Sequence, residues 1–381
     1  MTALSHVDAV VIGAGIAGAS IGAELAQDRK VVVLEAEDMP GYHTTGRSAA
    51  IFIASYGNAT ICKLNRASLA FLRQPPAEFS DEGFLSPRGN LYIGRAEDKA
   101  AVDALHAASP HLIPHTTEEA LKRVPILRPE AAAYVLEEPD SEDIDVARLH
   151  QCWLRRLTRA GSEVRCNAGV TALSRGADGL WTVETKAGTF VAPLVINAAG
   201  AWADDIAKMA GLAPIGLQPL RRTGAILPGP AEGGFDHWQM INDVMERFYF
   251  KPDAGKLLVS PVDEVPMDPH DAYVDDMDLA EGLYRFEQAV TLEVTRVDRS
   301  WAGLRTFAPD RSPVVGFDPG TKGFFWFAGQ GGYGIQTCPA MAWLGSALAT
   351  GQPLRDELTR EAFDPQEVAP RRTMVNRLRK H

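Results

Sequence analysis

One turn constrains this chain more than any other part of it. Ala9-Val-Val-Ile12 is an apolar run, and Gly13-Ala-Gly15-Ile-Ala-Gly18 follows it directly. A helix is expected over 19–27, and a second apolar run, Val31-Val-Val-Leu34, ends at Glu35. Strand, glycine turn, helix, strand is the opening of a βαβ unit, which commits the chain to a parallel sheet. Each position has a mechanical role. Gly13 permits the tight turn, Gly15 lets a pyrophosphate approach the backbone, and Gly18 allows close helix–strand packing. Ile16 and Ala17 in the turn are further cofactor-binding candidates, and the N-terminus of the helix that follows favours negative charge. Glu35 lies 17 residues after Gly18, with Ala36 beside it, where a carboxylate accepts from ribose hydroxyls and disfavours a 2′-phosphate.

With 381 residues, two or three domains are expected. The chain carries 38 Lys+Arg against 49 Asp+Glu, a net charge of −11, which argues against nucleic acid as a partner. The 4 cysteines form no C-x-x-C pair, and the histidines are scattered, so no metal site is expected. Residues 323–354 lack any charge but are broken by Gly329, Gln330, Gly331, Gly332, Gly334, Gln336 and Pro339. A buried strand, a glycine turn and a core helix over 338–349 fit them better than a membrane span, so no stable membrane insertion is expected. The first eight residues lack a signal-peptide pattern, and a cytoplasmic location is the expectation. The basic tail, Arg371, Arg372, Arg377, Arg379 and Lys380, is a candidate contact with the inner face of a membrane, although a solvated, frayed terminus is the favoured reading.

Two later segments repeat the passage from strand through glycine turn to helix: Pro193-Leu-Val-Ile-Asn-Ala-Ala-Gly200, and Gly323 through Thr337. Residues 142–160 read as a helix entered after Asp143 or Asp145, and 163–191 as a β-meander. Residues 84–140 mix short strands with a helix capped by Thr116 or Thr117, and 216–300 hold strands and one helix near 279–290. The expected fold is mixed α/β: a Rossmann-like unit from 1–83, 141–215 and 301–381, interleaved with a substrate-binding unit from 84–140 and 216–300 on an antiparallel or mixed sheet.

A nicotinamide enzyme has no use for a second glycine turn at Gln330-Gly-Gly-Tyr-Gly-Ile-Gln-Thr337. Such a turn suits the N1/O2 edge of a flavin, whose reduced form gains from convergent backbone N–H donors. Ordinary strand–helix punctuation is the alternative. With Pro40-Gly-Tyr-His-Thr-Thr-Gly-Arg-Ser-Ala-Ala50, Leu85-Ser-Pro-Arg88, Asn197-Ala-Ala-Gly-Ala-Trp202, Gln218-Pro-Leu-Arg-Arg222, Phe248-Tyr-Phe-Lys-Pro-Asp-Ala-Gly255 and Trp301-Ala-Gly-Leu-Arg305, the chain resembles the FAD-dependent D-amino acid oxidase/dehydrogenase superfamily. Within it, the chain looks most similar to D-amino acid dehydrogenases of the D-arginine type. The resemblance implies non-covalent FAD, since neither His43 nor Cys338 sits in a linkage motif. It implies oxidation of a D-amino acid to an imino acid by hydride transfer from Cα to flavin N5, with a quinone, dye or oxygen as electron acceptor. Arg47, Ser48, Ala49, Ala50, Val170, Ala199, Gly200, Trp202 and Gly303 would join the first glycine motif around FAD. Gly331, Gly332, Tyr333, Gly334, Ile335, Gln336 and Thr337 would surround the pyrimidine edge.

Arg222 and Arg305 sit among apolar neighbours, where a guanidinium needs an anion such as a substrate carboxylate. A structural salt bridge or a solvated side chain is the alternative. The resemblance sets Tyr249 and Tyr56 beside the substrate and the Gly332 carbonyl near its amino group. Where relatives acting on cationic amino acids carry His and Glu, this sequence has Ile51 and Asn90. With Ile53, Met240, Asn242 and Gln336 nearby, neutral or hydrophobic substrates are expected over D-arginine and D-lysine. A secondary-amine enzyme acting on sarcosine, proline or glycine, or an accessory flavoprotein subunit, is the rival reading.

Overall fold

A computed structural model describes residues 4–370; the basic tail beyond Pro370 lies outside the described residues. The apolar runs at Ala9–Ile12, Val31–Leu34, Leu194–Asn197 and Phe324–Ala328 are buried on both faces, as strands covered from both sides must be. They form the middle of a six-stranded sheet ordered Glu163–Arg165, Val31–Leu34, Ala9–Ile12, Leu194–Asn197, Phe324–Ala328, Val314–Phe317. All pairings are parallel except the last. The helices Ile16–Leu25, Ala59–Arg73, Val146–Arg159 and Gly334–Thr350 cover one face. The meander Val170–Arg175, Trp181–Thr185, Gly188–Ala192 and the helix Ala203–Met209 cover the other.

The second large sheet takes strands from both interleaved stretches. Its order is Val265–Pro266, Gln218–Pro228, Lys256–Ser260, Tyr249–Asp253, Met240–Asp243, Asn90–Gly94, Tyr134–Glu138, Ile113–His115. The strand Arg299–Phe307 pairs antiparallel with Gln218–Pro228. Thus residues 301–307, grouped in sequence with the first unit, extend the second sheet. The architecture is a mixed α/β fold.

Several boundaries differ from the sequence reading. The first helix starts at Ile16 rather than 19. The last starts at Gly334 rather than 338, so Gln336 and Thr337 lie in its first turn and Pro339 inside it. The Ser68 hydroxyl accepts from the Ala340 amide at 3.2 Å, a side-chain partner next to the proline. The helix near 279–290 runs Asp276–Glu287, capped by Asp275. Glu163–Arg165 leaves the meander for the parallel sheet, and the Asn58-capped helix Ala59–Arg73 has no counterpart in the sequence reading. Residues 323–354 do form a buried strand, a turn and a core helix, and no described helix is long and apolar enough to cross a membrane.

Candidate functional site

Gly13 and Gly18 make the close backbone contacts that their spacing implies. Gly13 has φ +100°, and a Cβ there would lie 2.5 Å from the Ala198 carbonyl oxygen. A Cβ at Gly18 would stand 1.8 Å from the Gly13 oxygen, so the helix and turn pack backbone to backbone. Glu35 is pinned where its strand ends: one carboxylate oxygen accepts from the Ala14 amide at 2.9 Å, the other from the Glu37 amide at 3.1 Å. The Ile16 amide donates to the Thr45 hydroxyl at 2.9 Å, drawing the 40–50 segment over the helix N-terminus.

A cavity of about 440 Å³ runs from Glu35, Ala36 and Val170 across Gly13 and Gly15 to Gly331 and Arg305, within the range of small-molecule sites. Its walls include Ile16, Ala17, Arg47, Ser48, Ala49, Ala199, Gly200, Trp202, Gly303, Gly332, Gly334 and Ile335. The residues present suit FAD: a glycine cradle that any Cβ would fill, a helix N-terminus, and an acid at one end of an elongated, largely apolar cleft. Gly18, Ala50, Tyr333, Gln336 and Thr337 stand behind its walls. His43 lines the cleft, its Nε2 2.9 Å from Glu37 Oε1, whereas Cys338 is fully buried in the core.

At the far end, strand register sets two arginines on one face. Arg222 pairs with Gly303 and Leu220 with Arg305, so both guanidinium groups project to the same side of the sheet. Arg221 points the other way, to Asp263 and Asp278. The Arg305 guanidinium lies against Gly332, where a Cβ would be 3.0 Å from a terminal nitrogen, and Arg305 has no ion pair with a described residue. Arg222 does have one: Glu264 Oε1 at 3.0 Å, while its buried Nε lacks a hydrogen-bond partner. Glu264 also takes two bonds from Arg311, at 2.7 and 3.1 Å. Burial, and then the neighbouring Arg305 charge, lower the Arg222 pKa. Burial also acts to lower that of Arg305, but the phenols of Tyr56 and Tyr249 and the Glu264 carboxylate outweigh it and raise the value. A guanidinium nonetheless stays cationic at neutral pH, so both arginines carry charge.

Arg222, Tyr249, Arg305 and Gly332 all line the cleft; Tyr56 stands behind it, its ring 5.0 Å from that of Tyr333. Ile51 and Met240 cluster with Tyr249 and Trp301. Asn242 donates to the Asn90 side-chain oxygen, leaving the fully buried Asn90 Nδ2 without a partner. Gln336 is a scaffold group: its oxygen accepts from the Ile53 amide at 3.1 Å and its nitrogen donates to Asn65 at 2.8 Å. Asn65 in turn holds the carbonyls of Ile53, Ala54 and Tyr56. Sequence reasoning missed Asn65, Thr45 and Glu264. The Thr44-Thr45 pair inside a glycine-flanked segment was a usable signal for the second; nothing local marks Glu264, which meets Arg222 across 42 positions.

Comparison with known proteins fits this geometry. The chain is 24% identical over 359 residues to human mitochondrial dimethylglycine dehydrogenase, covering 86% of this chain and 40% of that one. It is 25% identical over 359 residues to a 4-methylaminobutanoate oxidase (formaldehyde-forming) of Paenarthrobacter nicotinovorans, covering 88% and 43%. It thus spans less than half the length of these two relatives. Glycine oxidase of Geobacillus kaustophilus is 25% identical over 346 residues, covering 87% of this chain and 90% of the relative. Its crystal structure superposes with a TM-score of 0.81 over 96% of this chain and 98% of that one, at 23% identity. These relatives are named for glycine and N-methylated amines, which moves the weight away from the expected D-amino acids. The family model for DAO, FAD dependent oxidoreductase, matches residues 8–348. The chain belongs to the DAO family of FAD-dependent oxidoreductases, and FAD is its cofactor.

Proposed function

We propose that this enzyme oxidises a small secondary or N-methylated amino acid, of the sarcosine, dimethylglycine or glycine type, to the corresponding imine or iminium ion. One observation carries the reading. A guanidinium with no ion-pair partner among the described residues, Arg305, lies against Gly332 and lines the same cleft as Arg222 and Glu35. Arg222 already meets Glu264, so Arg305 is the guanidinium with capacity left for a carboxylate, which its planar fork of donors holds through paired hydrogen bonds. The names of the relatives supply the amine.

Glu35 would accept from the ribose hydroxyls, and Gly13, Gly15 and the helix N-terminus would hold the pyrophosphate. Arg47, Ser48, Gly200, Gly331 and Gly332 would hold the flavin half. FAD, when bound, supplies a two-electron acceptor. The chain's own residues do the positioning. Arg305 and Arg222 fix the substrate carboxylate, and the Tyr249 hydroxyl donates to it. The Gly332 carbonyl accepts from the amine and orients its lone pair toward the carbon that is oxidised. Apolar walls limit water in the cleft. FAD is held non-covalently on this reading: Cys338 is enclosed in the core and the His43 ring is engaged by Glu37.

Anaerobic bleaching of the flavin by a panel of amines tests the proposal. Sarcosine, dimethylglycine, glycine or 4-methylaminobutanoate should bleach it faster than D-leucine, D-methionine or D-phenylalanine, and D-arginine should be poorest. Bleaching by D-arginine alone would sink it. Oxidation of neutral D-amino acids is the second reading, favoured by the apolar Ile51, Met240 and Trp301 beside Tyr249.

A further inference from the structure

One of the two arginines at the substrate end already has a carboxylate. Arg222, 9% exposed, gives its Nη2 to Glu264 Oε1 at 3.0 Å, while its enclosed Nε has no partner. Glu264 is held from the outside as well. Arg311, 45% exposed, closes on it with two bonds, Nη2 to Oε1 at 2.7 Å and Nη1 to Oε2 at 3.1 Å. The Arg311 guanidinium lies 4.0 Å over the Phe307 ring, a stacked contact that fixes it further. One carboxylate thus bridges a cation that lines the cleft and a cation that faces solvent. The backbone around Glu264 is pinned on both sides. Asp263 accepts from the Thr223 amide at 2.6 Å, the Thr223 hydroxyl at 2.9 Å and Arg221 Nε at 3.1 Å. Val265 and Pro266 pair with Arg221 and Leu220. Val262 takes φ +57° and Arg311 φ +60°, left-handed conformations that persist in such residues only where the surroundings over-determine them. The part left to move is the partly exposed Glu264 side chain.

We propose that Glu264 is an internal counter-ion of the clamp: it holds Arg222 while the cleft is empty and yields it to the substrate carboxylate, staying on Arg311. This role rests on the reading of Arg222 and Arg305 as a carboxylate clamp. An unpaired buried cation is costly, and Glu264 spares the empty site that cost. Arg311 makes the exchange feasible, because its paired bonds keep Glu264 satisfied after Arg222 is released. No covalent bond changes and no proton moves; one Arg222–carboxylate contact replaces another. Substrate and oxidised product carry the same carboxylate, so a clamp without an internal partner would hold both. Glu264 lowers the apparent affinity for each by the fraction of sites in which it occupies Arg222. It acts through Arg222 and does not touch the substrate, so binding, rather than turnover, reads it.

Methoxyacetate, in which an ether oxygen replaces the amine of sarcosine, probes the exchange; its dissociation constant is read from the flavin difference spectrum of the FAD-loaded protein. Glu264→Gln should tighten binding about tenfold, the scale of one charge-assisted bond. Arg311→Gln, which leaves Glu264 to Arg222 alone, should weaken it by a similar factor. Without ligand Glu264→Gln should melt below wild type, and it should gain more than wild type from saturating methoxyacetate. In an Arg222→Met background neither substitution should move the dissociation constant, since the contact in dispute is gone. Wild-type affinity in Arg311→Gln overturns the exchange even if Glu264→Gln does not fold. Shifts that persist in the Arg222→Met background also overturn it, because they mark a distant field. Weaker binding by Glu264→Gln would overturn it too, making Glu264 a support for Arg222. If Arg305→Met binds methoxyacetate as wild type does, the clamp reading itself has failed and the exchange goes with it.

Discussion

Arg305→Met separates a substrate clamp from a structural cation. Arg305 has no ion pair with a described residue, its guanidinium lies against Gly332, and its strand neighbours Leu304 and Thr306 are buried. Replacing a half-buried charge with no ion-pair partner among the described residues by an apolar chain of similar length leaves nothing buried and unpaired, so thermal stability should hold or rise. Activity should move the other way. A charge-assisted bond contributes about 1.5–3 kcal/mol, and losing a paired contact to the substrate carboxylate should cost about 3 kcal/mol. At about 1.4 kcal/mol per factor of ten, kcat/KM for sarcosine should fall on the order of 100-fold. The assay pairs steady-state kinetics in oxygen or an artificial dye with the melting temperature of the FAD-loaded protein. A kcat/KM within threefold of wild type refutes the clamp. A melting temperature lower by several degrees, with kcat/KM loss explained by unfolded protein, would make Arg305 structural instead.

Gly13→Ala should lower flavin content and melting temperature together, because its Cβ would fall 2.5 Å from the Ala198 oxygen at φ +100°; full flavin occupancy would contradict this. Glu35→Gln should weaken FAD binding about tenfold, the scale of one charged hydrogen bond, as read by flavin release on dilution. Burial raises the Glu264 carboxyl, but Arg311, Arg222 and Arg305 outweigh it and hold it below its usual 4.5. A depressed folded value means stability that is complete above the unfolded pKa and lost as pH falls through the folded one. The melting-temperature gap between wild type and Glu264→Gln should therefore be full near about pH 6 and close as pH drops below 4.5; a gap that widens in acid would reverse the sign.

What the sequence made legible was local and mechanical. The 13–18 turn was readable because each glycine answers to backbone contact within one βαβ unit. Alternation along Gln218–Pro228 is likewise the reason Arg222 faces the cleft while Arg221 binds Asp263. The helix Ala59–Arg73 escaped because Asn65 and Ser68 occupy its buried face and blur the apolar period. Pro339 misplaced the start of the last helix, since proline reads naturally as a first-turn residue. At the substrate end, chemistry depends on partners far apart in the chain. Asn90 was legible as a neutral replacement for an acid, but not that Glu138, its cross-strand neighbour, returns a carboxylate to the same face.

The pairing of Gln218–Pro228 with Arg299–Phe307 has a consequence for how such an enzyme changes. Both arginines hang from this one ladder, and a slip of one residue would turn either away. The groups at the other end, Asn90, Asn242 and Met240, hang from Asn90–Gly94 and Met240–Asp243, strands paired with each other. On the proposed function, grip on the acid group and choice of the remainder would hang from different hydrogen-bonded ladders. On that function, point substitution along the second ladder would change the remainder while the first stays in register.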